Sequence, residues 1–155
     1  MIENNIKIIY HIDLEVYKKV KIKNYYHFSK SEIIEQMLWG EVLILNTDGS
    51  FFSFEAHLFK FFIVFTDNLK KISLKEEHKN QIFSVYDDYL FFLERYDEKY
   101  VNVIFKGQKK SLFDIKKLLQ KTEEMKHKLL YDFKILYPDY QQIKNLDYLI
   151  NKIIA

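Results

Sequence analysis

Residues 6 to 16 alternate: Ile6, Ile8, Tyr10, Ile12, Leu14 and Val16 fall on one face, and Lys7, His11, Asp13 and Glu15 on the other, broken only by Ile9. A period of two with one wet side predicts a half-buried strand. Val20 and Ile22, set between Lys19, Lys21 and Lys23, repeat the pattern and suggest a returning strand with its bend near Tyr17 to Lys19. Ser29-Lys30-Ser31-Glu32 has the spacing of a capping box, and Ile33, Ile34, Met37 and Leu38 follow it, so a short helix is expected to end by Gly40. Two apolar runs, 41 to 46 and 50 to 54, flank Thr47-Asp48-Gly49, a strong short-range signal for a β-hairpin. From 55 to 72 the period changes. Leu58, Phe59, Phe62, Phe65, Leu69 and Ile72 recur at threes and fours, as on the apolar stripe of a helix.

Residues 73 to 80 read as a polar connection. Ile82 to Tyr86, Tyr89 to Arg95 and Tyr100 to Phe105 read as three strands of a meander, with Tyr96-Asp97-Glu98-Lys99 turning between the last two and Gly107 closing it. Alternation assigns Phe83, Val85, Leu90, Phe92, Val101 and Val103 to the core. Ser111-Leu112-Phe113-Asp114 resembles a helix cap, and Leu112, Ile115, Leu119, Thr122, Leu129, Phe133 and Leu136 form a stripe that Pro138 terminates. Asp139 opens a last helix with Ile143, Leu146, Ile150 and Ile153 inward. The expected fold is a single α+β domain over residues 1–155. Its antiparallel sheet combines N-terminal strands, the Asp-Gly hairpin and the meander, covered by helices that include a long C-terminal helical hairpin.

Composition narrows the function classes. Aromatic residues make up 17% of the 155-residue chain, enough to fill a core with Phe and Tyr. Net charge is only +2, and Arg95 is the only arginine. Phosphate recognition favours the bidentate guanidinium, so nucleic acid is not the expected partner. The absence of cysteine removes disulfides, thiolate zinc sites and cysteine nucleophiles, in keeping with a reducing cytoplasm. The start, with Glu3, Asp13 and Glu15 and no basic segment before an apolar core, predicts no signal peptide. No apolar run approaches the roughly 20 residues of a membrane span.

Candidate chemistry is sparse. Glu124 and His127 have the Glu-x-x-His spacing of carboxylate-bridged metal bundles, but such sites need a second copy and further glutamates. Glu55 and His57 begin the aromatic segment, and Glu76-Glu77-His78 lies in a polar connection. His11 and His27 have no orienting partner visible nearby. Gly40, Gly49 and Gly107 are too dispersed for a nucleotide-binding loop. Lys106, Lys109 and Lys110 precede a predicted helix start, a possible anion site whose simpler reading is a soluble turn. The most uneven charge feature is in the meander. Asp87, Asp88, Glu94, Asp97 and Glu98 face one cation, Arg95, with Tyr86, Tyr89, Tyr96 and Tyr100 interleaved. Tyrosine offers large contact area for few rotatable bonds, and an acidic field attracts a basic partner.

The layout of Trp39-Gly40-Glu41-Val42, the Asp48-Gly49-Ser50 hairpin, a helix, the three-strand meander and a helix from Ser111 resembles the immunity proteins of bacterial polymorphic and contact-dependent toxin systems. The resemblance implies tight binding to a toxin domain, with no catalysis and no cofactor. The expected partner is a basic protein, with Asp87, Asp88, Tyr89, Glu94, Tyr96, Asp97 and Glu98 as contacts. Neither nucleic acid nor membrane is expected as a partner. Two alternatives stand beside it. One is a small, metal-assisted or simple hydrolase using His127 with Glu124 or His57 with Glu55. The other is an oligomerising module with the 111 to 136 helix as its interface.

Overall fold

A computed structural model of the chain describes residues 5–75, 79–83, 89–106 and 109–155, with the backbone alone at 79–83 and 89–90. It has two antiparallel sheets. The first contains β1 (Lys7–Ile12), β2 (Trp39–Leu45) and β3 (Phe51–His57), in the order β1-β2-β3. The second contains β4 (Lys79–Phe83), β5 (Tyr89–Arg95), β6 (Tyr100–Phe105) and β7 (Lys109–Asp114), a meander in sequence order. Five helices accompany them among the described residues: α1 (Leu14–Lys21), α2 (Lys30–Gln36), α3 (Leu58–Ser73), α4 (Ile115–Leu136) and α5 (Leu146–Ile154). The chain is thus a single α+β domain, with its strands divided between two sheets where the sequence suggested one.

An aromatic core joins the layers. Phe52 of β3 meets Phe91, Phe105 and Phe113 of the second sheet at ring separations of 5.7, 5.5 and 6.2 Å. Phe54 touches Phe61, Phe91 and Phe105. Helix α3 supplies Phe61 and Phe65, both of which reach Phe91. It is apolar around most of its circumference, as expected of a helix enclosed on several sides. α4 lies along α3, and α5 rests on α2 and α4. The α3–α4 seam also holds charge. Lys126 is fully buried, 3.5 Å from Glu123, whose other oxygen lies 2.9 Å from Lys70. Burial pushes the Glu123 carboxyl up, but the two ammonium groups outweigh it and hold the group below its usual range.

Local signals were partly misread. Residues 14 to 16 and 20 to 22, expected as strands joined by a bend at 17 to 19, instead belong to α1 (Leu14–Lys21) and its C-cap Ile22. The Asp13 carboxylate accepts the amides of Glu15 (3.0 Å) and Val16 (3.1 Å), and Glu15 and Lys18, Lys19 and Lys21 sit at the dipole ends they favour. Leu14 and Val16 extend the alternation of β1 by coincidence, and Leu14 is exposed. Ser111, expected as a helix cap, lies buried in β7, where its hydroxyl meets Asn46 Nδ2 at 2.7 Å and Ser50 Oγ at 2.6 Å. The cap is Asp114, which accepts the Lys117 amide at 3.0 Å, and Leu112 is therefore a strand residue outside the helical stripe. On β5 the core residues are Phe91 and Leu93, opposite Phe105 and Val103, while Phe92 is half-buried on the outer face. β3 keeps residues 55 to 57, so the helix begins at Leu58. β4 takes residues 79 and 80 from the expected connection. After Pro138 a 3-10 turn at Tyr140–Gln142 delays the last helix to Leu146. The capping box at Ser29, the Asp-Gly hairpin and the α3 stripe are as expected.

The end of α4 is anchored to the segment after α1. Tyr25 and Tyr26 both donate their hydroxyls to the same oxygen of Asp139. Tyr17 and Lys21 donate to the Leu136 carbonyl at 2.5 and 2.8 Å. The two phenols hold the Asp139 carboxyl below its usual range, and burial together with that carboxylate pushes the Tyr25 hydroxyl up.

Phe91→Ala should lower unfolding stability by about 3–5 kcal/mol in urea titrations, and Phe92→Ala by less than half as much. Asp139 has a depressed folded-state pKa, so its contribution is present above the unfolded value of about 4 and is lost as pH falls through the folded value. Asp139→Asn, which keeps an acceptor oxygen but loses the charge, should cost up to about 1 kcal/mol at pH 7 and flatten the decline in urea midpoint below pH 4. The Tyr25 contribution, raised in the folded state, holds below about pH 10 and fades above it.

Candidate acidic face on the three-stranded sheet

Burying one face of β3 commits the other to solvent. Phe52, Phe54 and Ala56 are buried, and Phe51, Ser53 and Glu55 are exposed. The antiparallel register then sets rows across the outer face. Lys7, Leu45 and Phe51 form one row, and Ile9, Leu43 and Ser53 the next. His11, Glu41 and Glu55 form the third, and Trp39 lies opposite His57 at the end. Ile9 and Phe51 are 54% and 48% exposed, so the face presents apolar area beside its charges.

The third row is electrostatically unfavourable. Glu41 and Glu55 lie directly opposite one another on paired strands, where like charges destabilise. Nearby carboxylates are compensated: Glu15 by Lys18 at 3.5 Å and Glu35 by Lys60 at 3.0 Å. Among the described residues neither Glu41 nor Glu55 has such an ion pair.

Trp39 stands at the corner where this row meets α1 and α2. Gly40 allows the corner to close, because a Cβ there would lie 2.1 Å from the His11 carbonyl oxygen. The Asp13 amide donates to the Trp39 carbonyl at 2.8 Å, and the Leu58 amide to that of Leu38 at 2.9 Å. The Trp39 ring meets the His57 ring edge-on at 4.8 Å. Trp39 lines two hollows, one of about 330 Å³ with His11, Asp13, Leu14, Glu15, Gly40, Glu41 and Glu55. The other, of about 560 Å³, also has Val16, Val20, Lys23, Glu35, Gln36, Glu55 and His57 in its lining. Burial lowers the His57 pKa, with Lys60 adding to the effect and Glu35 opposing it, so its ring is neutral at pH 7.

The acids expected as contacts lie elsewhere. Asp87 and Asp88 fall outside the described residues, as do Gly107, Val85 and Glu76-Glu77-His78, and Tyr89 is placed in β5 by its backbone alone. Glu94 is half-buried on the outer face of β5, opposite Asn102. Tyr96, Asp97 and Glu98 come together at the β5–β6 turn. Tyr96 is 65% exposed. The Asp97 carboxylate accepts the amides of Lys99 and Tyr100 at 2.8 Å each. Glu98 pairs with Lys75 at 2.6 Å, which holds its carboxyl below the usual range. Arg95 donates to the Ile72 carbonyl, so this turn sits at the C-terminal end of α3. Trp39 and Glu55 sit at its N-terminal end, about 24 Å away along a 16-residue helix.

The catalytic alternatives separate as well. Glu124 and His127 are exposed on α4, with Glu124 paired to Lys121 at 3.2 Å. Glu55 and His57 share the outer sheet face, with Trp39 against His57. Among the described residues no three His, Asp or Glu side chains converge as a metal site, and no helix is long and apolar enough to cross a membrane. The opposition of Glu41 and Glu55 escaped the sequence reading, although its signal was present. The hairpin centres on Asp48, so Glu41, seven residues before it, must face Glu55, seven after.

No family model, curated protein or solved structure matches the chain.

If the row carries uncompensated repulsion, Glu55→Gln should raise stability, by about 0.2–1 kcal/mol in urea unfolding at low salt, with the gain shrinking as salt is added.

Proposed function

We propose that the chain is a cytoplasmic bacterial binding protein of the immunity type, which neutralises a cognate toxin by covering its active site. One observation carries the reading. The outer face of the three-stranded sheet presents exposed apolar residues and two opposed glutamates that have no ion pair among the described residues. A fold gains nothing from that opposition, whereas a basic partner docking on the face relieves it and is drawn in by its field. The layout resemblance to immunity proteins points to the same class. The described acids of the β5–β6 turn support a contact surface less well, because Asp97 and Glu98 already serve backbone amides and Lys75.

The test is capture of the partner with a tagged copy, followed by titration of purified components at two salt concentrations. The double variant Glu41→Lys/Glu55→Lys should weaken binding at least 100-fold, largely abolish its salt dependence and release the partner's toxicity. Asp97→Lys/Glu98→Lys should change affinity less than threefold. The reverse ordering moves the contact to the meander turn, and unchanged affinity in both variants removes the electrostatic basis of the proposal.

A further inference from the structure

The hollow beside Trp39 has a more specific chemistry than an acidic surface. Its lining includes the half-buried indole, Leu14, an apolar side chain 53% exposed, and the carboxylates of Glu41 and Glu55. The other two acids are already engaged: Asp13 caps α1 with one oxygen, and Glu15 pairs with Lys18. Glu41 and Glu55 therefore provide the available charge. An inorganic ion needs convergent oxygens, and no such group exists among the described residues. A cation with a planar, delocalised head and an aliphatic stem suits the hollow better. Its head can bridge two separated carboxylates and lie against an aromatic ring, while its stem covers an exposed leucine. A volume of about 330 Å³ is at the small end of ligand sites and has room for one long side chain.

We infer that this hollow is a receptor for a single arginine side chain, supplied by the basic protein partner, with the guanidinium held between Glu41 and Glu55 and against Trp39. The inference rests on the proposed binding role of this face and specifies its central contact. The neutral ring of His57, edge-on to the indole at 4.8 Å, adds no opposing charge at pH 7.

Trp39 is the only tryptophan, so its emission reports this site directly. The experiment titrates the whole chain at low ionic strength with N-acetyl-arginine amide. N-acetyl-citrulline amide, its uncharged isostere, serves as the comparison. A saturable change in emission is expected with the arginine derivative, at least tenfold weaker with citrulline. Glu41→Gln/Glu55→Gln, which removes a repulsion and should fold, is expected to weaken arginine binding at least tenfold, and Asp97→Asn/Glu98→Gln to leave it unchanged. Equal responses to arginine and citrulline, wild-type binding by the Gln pair, or no saturable response overturns the inference. If the arginine probe fails while charge reversal still weakens the protein partner, the receptor falls and the docking face stands. If the probe binds while charge reversal leaves the partner's affinity unchanged, the arginine site stands and the docking role falls.

Discussion

Phe91 is the contact on which the rest of the molecule depends. It is fully buried and touches Phe52, Phe54, Phe61, Phe65 and Phe105, and so joins two sheets and the central helix. Edge-on and tilted ring contacts of this kind add directional preference to area burial. Once Phe52 and Phe54 point into that cluster, strand geometry leaves no choice for their neighbours. Phe51, Ser53 and Glu55 must face out, and through the register so must Glu41 and His11. The proposed recognition face is in this sense the reverse side of the core.

The corner at Trp39 turns that sheet face into a recess. Three backbone features hold it: the missing side chain of Gly40, the hydrogen bond from the Asp13 amide to the Trp39 carbonyl, and that from the Leu58 amide to the Leu38 carbonyl at the start of α3. None involves Glu41 or Glu55. The scaffold can therefore carry Glu41 and Glu55 in an unfavourable arrangement without risk to the fold, as expected where local consistency is given up for recognition. The meander turn at the far end of α3 differs, because its acids complete the turn itself.

Much of this was legible from the residues. The Ser29 box, the Asp48-Gly49 turn and the spacing of Phe in α3 each encode their element locally. The misreadings arose where two codes overlapped. Leu14 and Val16 fit both a strand and the first turn of a helix, and the decision belonged to the Asp13 cap. Ser111 to Asp114 imitates a cap while pairing as strand with β6. Leu90 to Leu93 is apolar at every position, so alternation alone could not choose a face, and pairing with Val103 and Phe105 chose it. The site was less legible still. The sequence drew attention to acids close together along the chain, whereas the uncompensated pair is 14 residues apart and meets only through the hairpin register.

The central claim, that the outer face of the three-stranded sheet is the recognition surface, is tested most directly by amide hydrogen exchange with and without the captured partner. Docking on this face gives new protection in residues 7–15, 39–43 and 53–57 and leaves residues 96–100 unchanged. Protection confined to residues 96–100, with the sheet face exchanging as in the free protein, would contradict it.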